Sequence, residues 1–152
     1  MTEETSRFQS VLLTPQNVLK YWHLLEPEIA KALEHGIDEL TAFDVCKQAL
    51  DNKIQVWVAI DKNNEIVCTI TTRFLTYPST KVMQIITCTG SQGRYWDDFC
   101  EYHRTLEDYA KSNGCSSLQV WGRKGWQRHL TKIKSRSGQD YKTLYYVYNM
   151  EI

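Results

Sequence analysis

The sequence predicts an α/β domain (an α+β mixed sheet) across residues 1–152, with an antiparallel meander followed by a β-α-β unit and a closing strand. Three observations carry that expectation. Residues 54–60, 66–75 and 82–89 are β-branched, largely apolar runs separated by turn-forming clusters, the pattern of strands joined as hairpins. From Trp96 to Ala110 the apolar period changes from two to 3.6. A strand pattern at 117–121 follows that helix, and a helix between two strands implies that they run parallel.

The elements follow in order. Residues 1–10 read as a loose N-terminus or a short strand. Thr14-Pro15 is an N-cap followed by proline at the first helical position. Val18, Leu19, Trp22 and Leu25 keep helical spacing, Pro27 is expected to break or restart the helix, and Ile29, Ala32 and Leu33 continue it to Gly36. A second helix is expected at 39–50 with Leu40, Phe43, Cys46, Ala49 and Leu50 as its apolar face, stopped by Asp51-Asn52-Lys53. Asp61-Lys62-Asn63-Asn64 and Tyr77-Pro78-Ser79-Thr80 turn the meander. The long helix sets Trp96, Phe99, Cys100, His103, Leu106 and Ala110 against Asp97, Asp98, Glu101, Arg104, Asp108 and Lys111, and Asn113-Gly114 caps it. A shorter helix at 125–133 and a closing strand at 144–150 (LYYVYNM) complete the order.

Composition bounds the function. Lysine plus arginine and aspartate plus glutamate number 18 each, so no net field draws the chain to nucleic acid or an anionic membrane. The five cysteines include no C-x-x-C pair, and the four histidines are scattered, which argues against a metal site and for free thiols in a reducing compartment. The polar start MTEETSRFQS and the lack of any run of about 18 apolar residues predict a soluble cytoplasmic protein.

The junction Gly90-Ser91-Gln92-Gly93-Arg94 places two glycines between a strand and a helix. Free amides there would suit an anionic group such as a pyrophosphate, and Arg94 could add a charge-assisted contact; an ordinary glycine-rich turn has the same look. Gly122-Arg123-Lys124-Gly125-Trp126 follows the neighbouring strand, so Arg123 and Lys124 would reach the same crevice, or else be solvated. Trp126 would wall the crevice or pack in the core. Tyr141, Tyr145, Tyr146 and Tyr148 cluster near the end of the sequence. A tyrosine beside a thioester can protonate a leaving thiolate, although most of these tyrosines are expected to be half-buried sheet residues.

The element order resembles the GCN5-related N-acetyltransferase (GNAT) fold, from about Thr14 onward. The family's loop after the fourth strand reads Gln/Arg-x-x-Gly-x-Gly/Ala, and residues 90–94 keep its glycines but not its spacing. The resemblance implies acetyl-CoA, or another acyl-CoA, in a V between two splayed strands. Thr89, Gly90, Ser91, Gln92, Gly93, Arg94, Arg123 and Lys124 would be its contacts, with a backbone amide near Thr89 or Gly90 holding the oxyanion and Tyr141 or Tyr145 as the acid. Many members carry a glutamate base on the central strands, an asparagine after the fifth strand and a tyrosine in the next helix. The strand 82–89 has no acid, and 122–133 has neither asparagine nor tyrosine. Residues 109–115 and Trp121-Gly122-Arg123-Lys124-Gly125-Trp126 are also similar to small GNAT-like proteins of tailed bacteriophages.

Two functions follow from the resemblance. One is acyl-CoA-dependent N-acylation of an amine, with deprotonation through water because no carboxylate stands on the strand. The other is a non-catalytic GNAT-fold interaction protein, such as a bacteriophage virion or assembly component with a protein partner, in the host cytoplasm or the virion. Five tryptophans and nine tyrosines could furnish its binding face.

Overall fold

The computed structural model describes residues 8–34, 40–90, 95–122 and 126–152, the side chains of 95–98 excepted. Gly36, the start of the expected second helix, Gly125 and the loop 91–94 lie outside the described residues.

The sheet has the order β1-β2-β3-β4-β5: β1 (Gln9–Leu12), β2 (Gln55–Ile60), β3 (Ile66–Thr76), β4 (Lys81–Gly90) and β5 (Ser117–Val120). The first four are antiparallel neighbours, and β5 joins β4 in parallel. The turns use the expected chemistry. Asp61 Oδ1 accepts from the amides of Asn63 and Glu65, and Asn64 takes a positive φ of 60°.

Both faces of the sheet are covered, which explains why its strands are apolar on both sides. On one face Val56 and Val58 pack with Val18, Leu25, Ile29, Val45 and Ala49 of α1 (Pro15–Lys20), α2 (Trp22–Leu33) and α3 (Ala42–Leu50). On the other, Trp57, Ile70, Met83, Ile85 and Cys88 pack with Phe99, Tyr102, Leu106 and Ala110 of α4 (Tyr95–Ser112). Each fully buried large aliphatic or aromatic side chain contributes roughly 1.5–3 kcal/mol.

Helix starts agree with the caps. Thr14 Oγ1 accepts from Asn17 N at 3.2 Å, with Pro15 in the first turn. The α1–α2 break, however, falls at Tyr21 rather than at Pro27, which sits inside α2. Proline there forfeits one backbone hydrogen bond, and buried Leu25 and Ile29 on either side hold the helix together. The apolar face of α3 also differs. A capping box between Thr41 and Asp44 starts the helix at Ala42, which turns Val45 and Ala49 inward and leaves Phe43 and Leu50 exposed.

In α4, Phe99, His103, Leu106 and Ala110 are buried as expected, joined by Tyr102, whose hydroxyl donates to Val58 O at 3.0 Å. Gly114, at φ 79°, closes the helix, with Cys115 N donating to Ala110 O. After the short α5 (Trp126–Leu130), a turn over 134–140 docks on α4. There Arg136 grips both carboxylate oxygens of Asp108, at 2.7 and 2.9 Å.

The closing strand is not formed. Residues 144–150 are exposed and in no regular element, and none pairs with the sheet among the described residues. Tyr145, Tyr146 and Tyr148 are therefore exposed and not half-buried sheet positions. Local β-propensity marks a segment that suits a sheet, but a strand exists only where an edge satisfies its backbone.

Candidate functional site

The site begins with a mismatch of strand lengths. β4 pairs with β3 along its whole length, from Lys81 to Gly90. Its pairing with β5 runs only from Val82↔Ser117 to Ile85↔Val120. Beyond that point, residues 86–90 present a backbone edge that no described strand covers, about 16 Å long at strand rise. The parting has a local cause. The β3–β4 register shifts between Thr71 and Thr72, whose partners are Thr87 and Ile85, so Ile86 is the extra residue of a bulge. A bulge increases local twist and re-aims the strand, and this one lies immediately past the last β4–β5 pair.

A polar stripe crosses the α1–α3 face of the same strands, in three cross-strand pairs. Arg73 Nε donates to Gln84 Oε1 at 2.6 Å, and the hydroxyls of Thr71 and Thr87 share a 2.6 Å bond. The third pair, Thr69 opposite Thr89, lies next to Gly90; both hydroxyl oxygens are buried and neither has a partner among the described residues. A buried hydroxyl left unpaired costs roughly 1–3 kcal/mol, which makes this rung a candidate polar site beside the end of β4.

On the α4 face, His103 Nε2 and the Tyr141 hydroxyl lie 2.5 Å apart, with the His103 ring edge-on to Phe99. Burial pushes the imidazole down to about 4, against a smaller opposing influence of Glu107. Burial drives the Tyr141 hydroxyl well above its usual range, with Glu107 adding to the effect. The pair is therefore neutral at physiological pH, and Tyr141 holds its proton.

Of the residues singled out from sequence, Thr89 and Gly90 stand at the end of the open β4 edge. Ser91, Gln92, Gly93, Arg94, Arg123 and Lys124 lie outside the described residues. Tyr141 is fixed on α4, whereas Tyr145 lies on the exposed segment, so the two are not brought to one point. Trp126 packs edge-on to Phe99 and so belongs to the core. A Cβ on Gly122 would fall 2.5 Å from Trp126 Cδ1, so that glycine is needed for the close approach.

Sequence reasoning missed the bulge at Ile86 and the hydroxyl stripe. The stripe had a signal: Thr69, Thr71, Thr87 and Thr89 recur at period two within apolar runs. A shallow hollow lined by Asp44, Lys47, Gln48, Asp51 and Lys53 lies at the C-terminal part of α3, is polar throughout, and involves none of the fork residues. Among the described residues no cluster of metal-ligating side chains occurs, and no helix is long and apolar enough to cross a membrane.

No protein-family model and no curated protein matches the chain. Solved structures do. A probable acetyltransferase aligns over 94% of this chain and 99% of its own, with a TM-score of 0.69 at 14% identity. An aminoglycoside acetyltransferase from an uncultured soil metagenomic sample, in complex with sisomicin, aligns over 95% and 97%, with a TM-score of 0.67 at 13% identity. A GNAT family acetyltransferase from Staphylococcus aureus aligns over 95% and 100%, with a TM-score of 0.60 at 12% identity. The chain has the mixed α+β fold of the GNAT acetyltransferases.

Proposed function

We propose that the protein is an acyl-CoA-dependent N-acyltransferase, with the fork between β4 and β5 as its acyl-CoA site. The observation that supports it is the open edge of residues 86–90, set apart from β5 by the bulge at Ile86. Unpaired backbone groups along a strand can hydrogen-bond an extended, amide-bearing arm as another strand would. The donor set therefore fits the pantetheine arm of an acyl-CoA.

Bound there, acyl-CoA supplies an activated thioester. The chain's own residues do the rest. The loop 90–94 and Arg94, with Arg123 and Lys124, would hold the pyrophosphate. A backbone amide at Thr89 or Gly90 would stabilise the charge that develops on the thioester oxygen. The unpartnered hydroxyls of Thr69 and Thr89 orient the acceptor amine or a water that takes its proton, because β4 carries no carboxylate. Tyr141 is a weak acid in its buried place and acts by fixing His103. Tyr145, on the exposed segment, is the tyrosine free to return a proton to the thiolate. The acetyltransferase neighbours support the reaction class and leave the acceptor amine open.

The test is calorimetric titration with acetyl-CoA of the unaltered chain, Arg94→Ala and Arg123→Ala. A charge-assisted contact contributes roughly 1.5–3 kcal/mol, so each variant should bind more than 10-fold more weakly. Unchanged affinity in both variants would remove the pyrophosphate assignment.

A further inference from the structure

Trp121 is the first residue past the β4–β5 ladder. The register ends at Ile85↔Val120, so the next position sets Trp121 across from Ile86, the bulge residue, at the crotch of the fork. Strand alternation gives its side. Leu118 and Val120 pack against the α4 core, which puts Gln119 and Trp121 on the opposite face. The indole Nε1–H donates to Gln119 Oε1 at 3.0 Å, a bond between two residues of one face. Ile86, Thr69 and Thr89 belong to that same face of the sheet.

The side chain is built as a platform. Trp121 is 44% exposed, whereas Trp57 is buried and Trp22 and Trp126 pack against the two cores. Its single donor is committed to Gln119, so what remains for a ligand is the ring face. The backbone behind it is held. A Cβ on Gly122 would fall 2.5 Å from Trp126 Cδ1, and Trp126 stands edge-on to Phe99 in the core. Around this ring, Gln119, Ile86, Thr69 and Thr89 carry no charge, and the one cation of the polar stripe, Arg73, is bonded to Gln84 below the fork. An acceptor on this side therefore meets an aromatic wall and hydroxyls, and no carboxylate among these residues.

We propose that Trp121 determines the acceptor class, selecting an arylalkylamine whose aromatic ring stacks on the exposed indole while its amine points along β4 toward Thr89. The inference rests on the acyl-transfer reading of the fork. From the position of Ile86 to Thr89 is about 10 Å at strand rise, a gap that the length of the indole and a short-spaced amine cover together. Offset stacking of two rings adds to the area they bury, and an aliphatic amine of the same charge forgoes both contributions. The preference for the aromatic amine should be about 10-fold in KM.

The experiment compares 2-phenylethylamine with n-butylamine on the unaltered chain, Trp121→Phe and Trp121→Leu. Acetyl-CoA affinity is measured by calorimetry, and kcat and KM by release of the CoA thiol. The indole N–H signal of Trp121, identified by its loss in Trp121→Phe, is followed by nuclear magnetic resonance as each amine is added to the acetyl-CoA complex. In the unaltered chain 2-phenylethylamine should have the lower KM by about 10-fold and should shift the Trp121 signal, which n-butylamine should leave in place. Trp121→Phe should keep most of the preference. Trp121→Leu should bring the two KM values close to parity with little change in the ratio of kcat values and with acetyl-CoA still bound. A Trp121 signal that 2-phenylethylamine does not move, or a preference that survives in Trp121→Leu, overturns this inference alone. Loss of acetyl-CoA binding in Trp121→Leu also overturns it, because the ring would then line the cofactor. An unaltered chain that does not bind acetyl-CoA overturns the acyl-transfer reading and this inference with it.

Discussion

Acidification should unfold the protein through His103. The imidazole is buried, is bonded to Tyr141, and titrates at about 4 in place of an ordinary value near 6.5. As pH falls below 6.5, the unfolded chain takes up a proton on this side chain and the folded chain does not. Stability therefore drops across the window from 6.5 to 4 and levels off below it. The gap corresponds to roughly 3 kcal/mol, at about 1.4 kcal/mol per pH unit. Phe99 and Tyr141 face the ring and do not titrate in this window, and Glu107 moderates the effect by favouring the charged form. The assay is urea unfolding followed by tryptophan fluorescence from pH 7.5 to 4.5, on the unaltered chain and His103→Gln. Glutamine keeps a polar partner for the Tyr141 hydroxyl and has no titration of its own. The unaltered chain should lose roughly 2–3 kcal/mol more than the variant over that range. Parallel stability curves would refute the buried-neutral assignment.

Two further outcomes follow from single contacts. Thr69→Val replaces a buried, unpartnered hydroxyl with a methyl group. Stability should stay level or rise by up to about 1 kcal/mol while KM for the acceptor amine increases, and a clear loss of stability would mean that the hydroxyl is already satisfied. Gly122→Ala brings a methyl to 2.5 Å from the Trp126 ring, which must move. A cost of roughly 1–3 kcal/mol and an altered near-UV tryptophan spectrum are expected, and a silent substitution would contradict the close approach.

Most of the architecture was legible because it is written in period and punctuation. The three meander strands, the long amphipathic α4 and the parallel β5 each follow from alternation, spacing and turn residues that act locally. Errors arose where a tertiary choice decided. Pro27 stays helical because Leu25 and Ile29 are buried, and Phe43 points outward because a capping box fixes the phase of α3. Residues 144–150 have the composition of a strand, but composition cannot supply the edge that a strand needs.

The site was half legible. Gly90 stands at the end of β4 as the strand pattern suggested, and the threonine alternation was visible without its meaning. The parting of β4 from β5 depends on a one-residue bulge, which leaves no distinctive residue behind. His103 and Tyr141 lie 38 residues apart, and only the packing of the 134–141 turn on α4 brings them together.

The whole functional reading turns on whether a CoA thioester lies along the β4 edge opened at Ile86. Thermal unfolding of the unaltered chain with and without acetyl-CoA measures this directly, since a ligand bound to the native state alone stabilises it by mass action. At a hundred times the dissociation constant, stability should rise by about 2.7 kcal/mol, which moves the midpoint upward by roughly 5–10 °C for a chain of this size. An unmoved midpoint at millimolar acetyl-CoA would contradict the account and leave the shared fold without the shared chemistry.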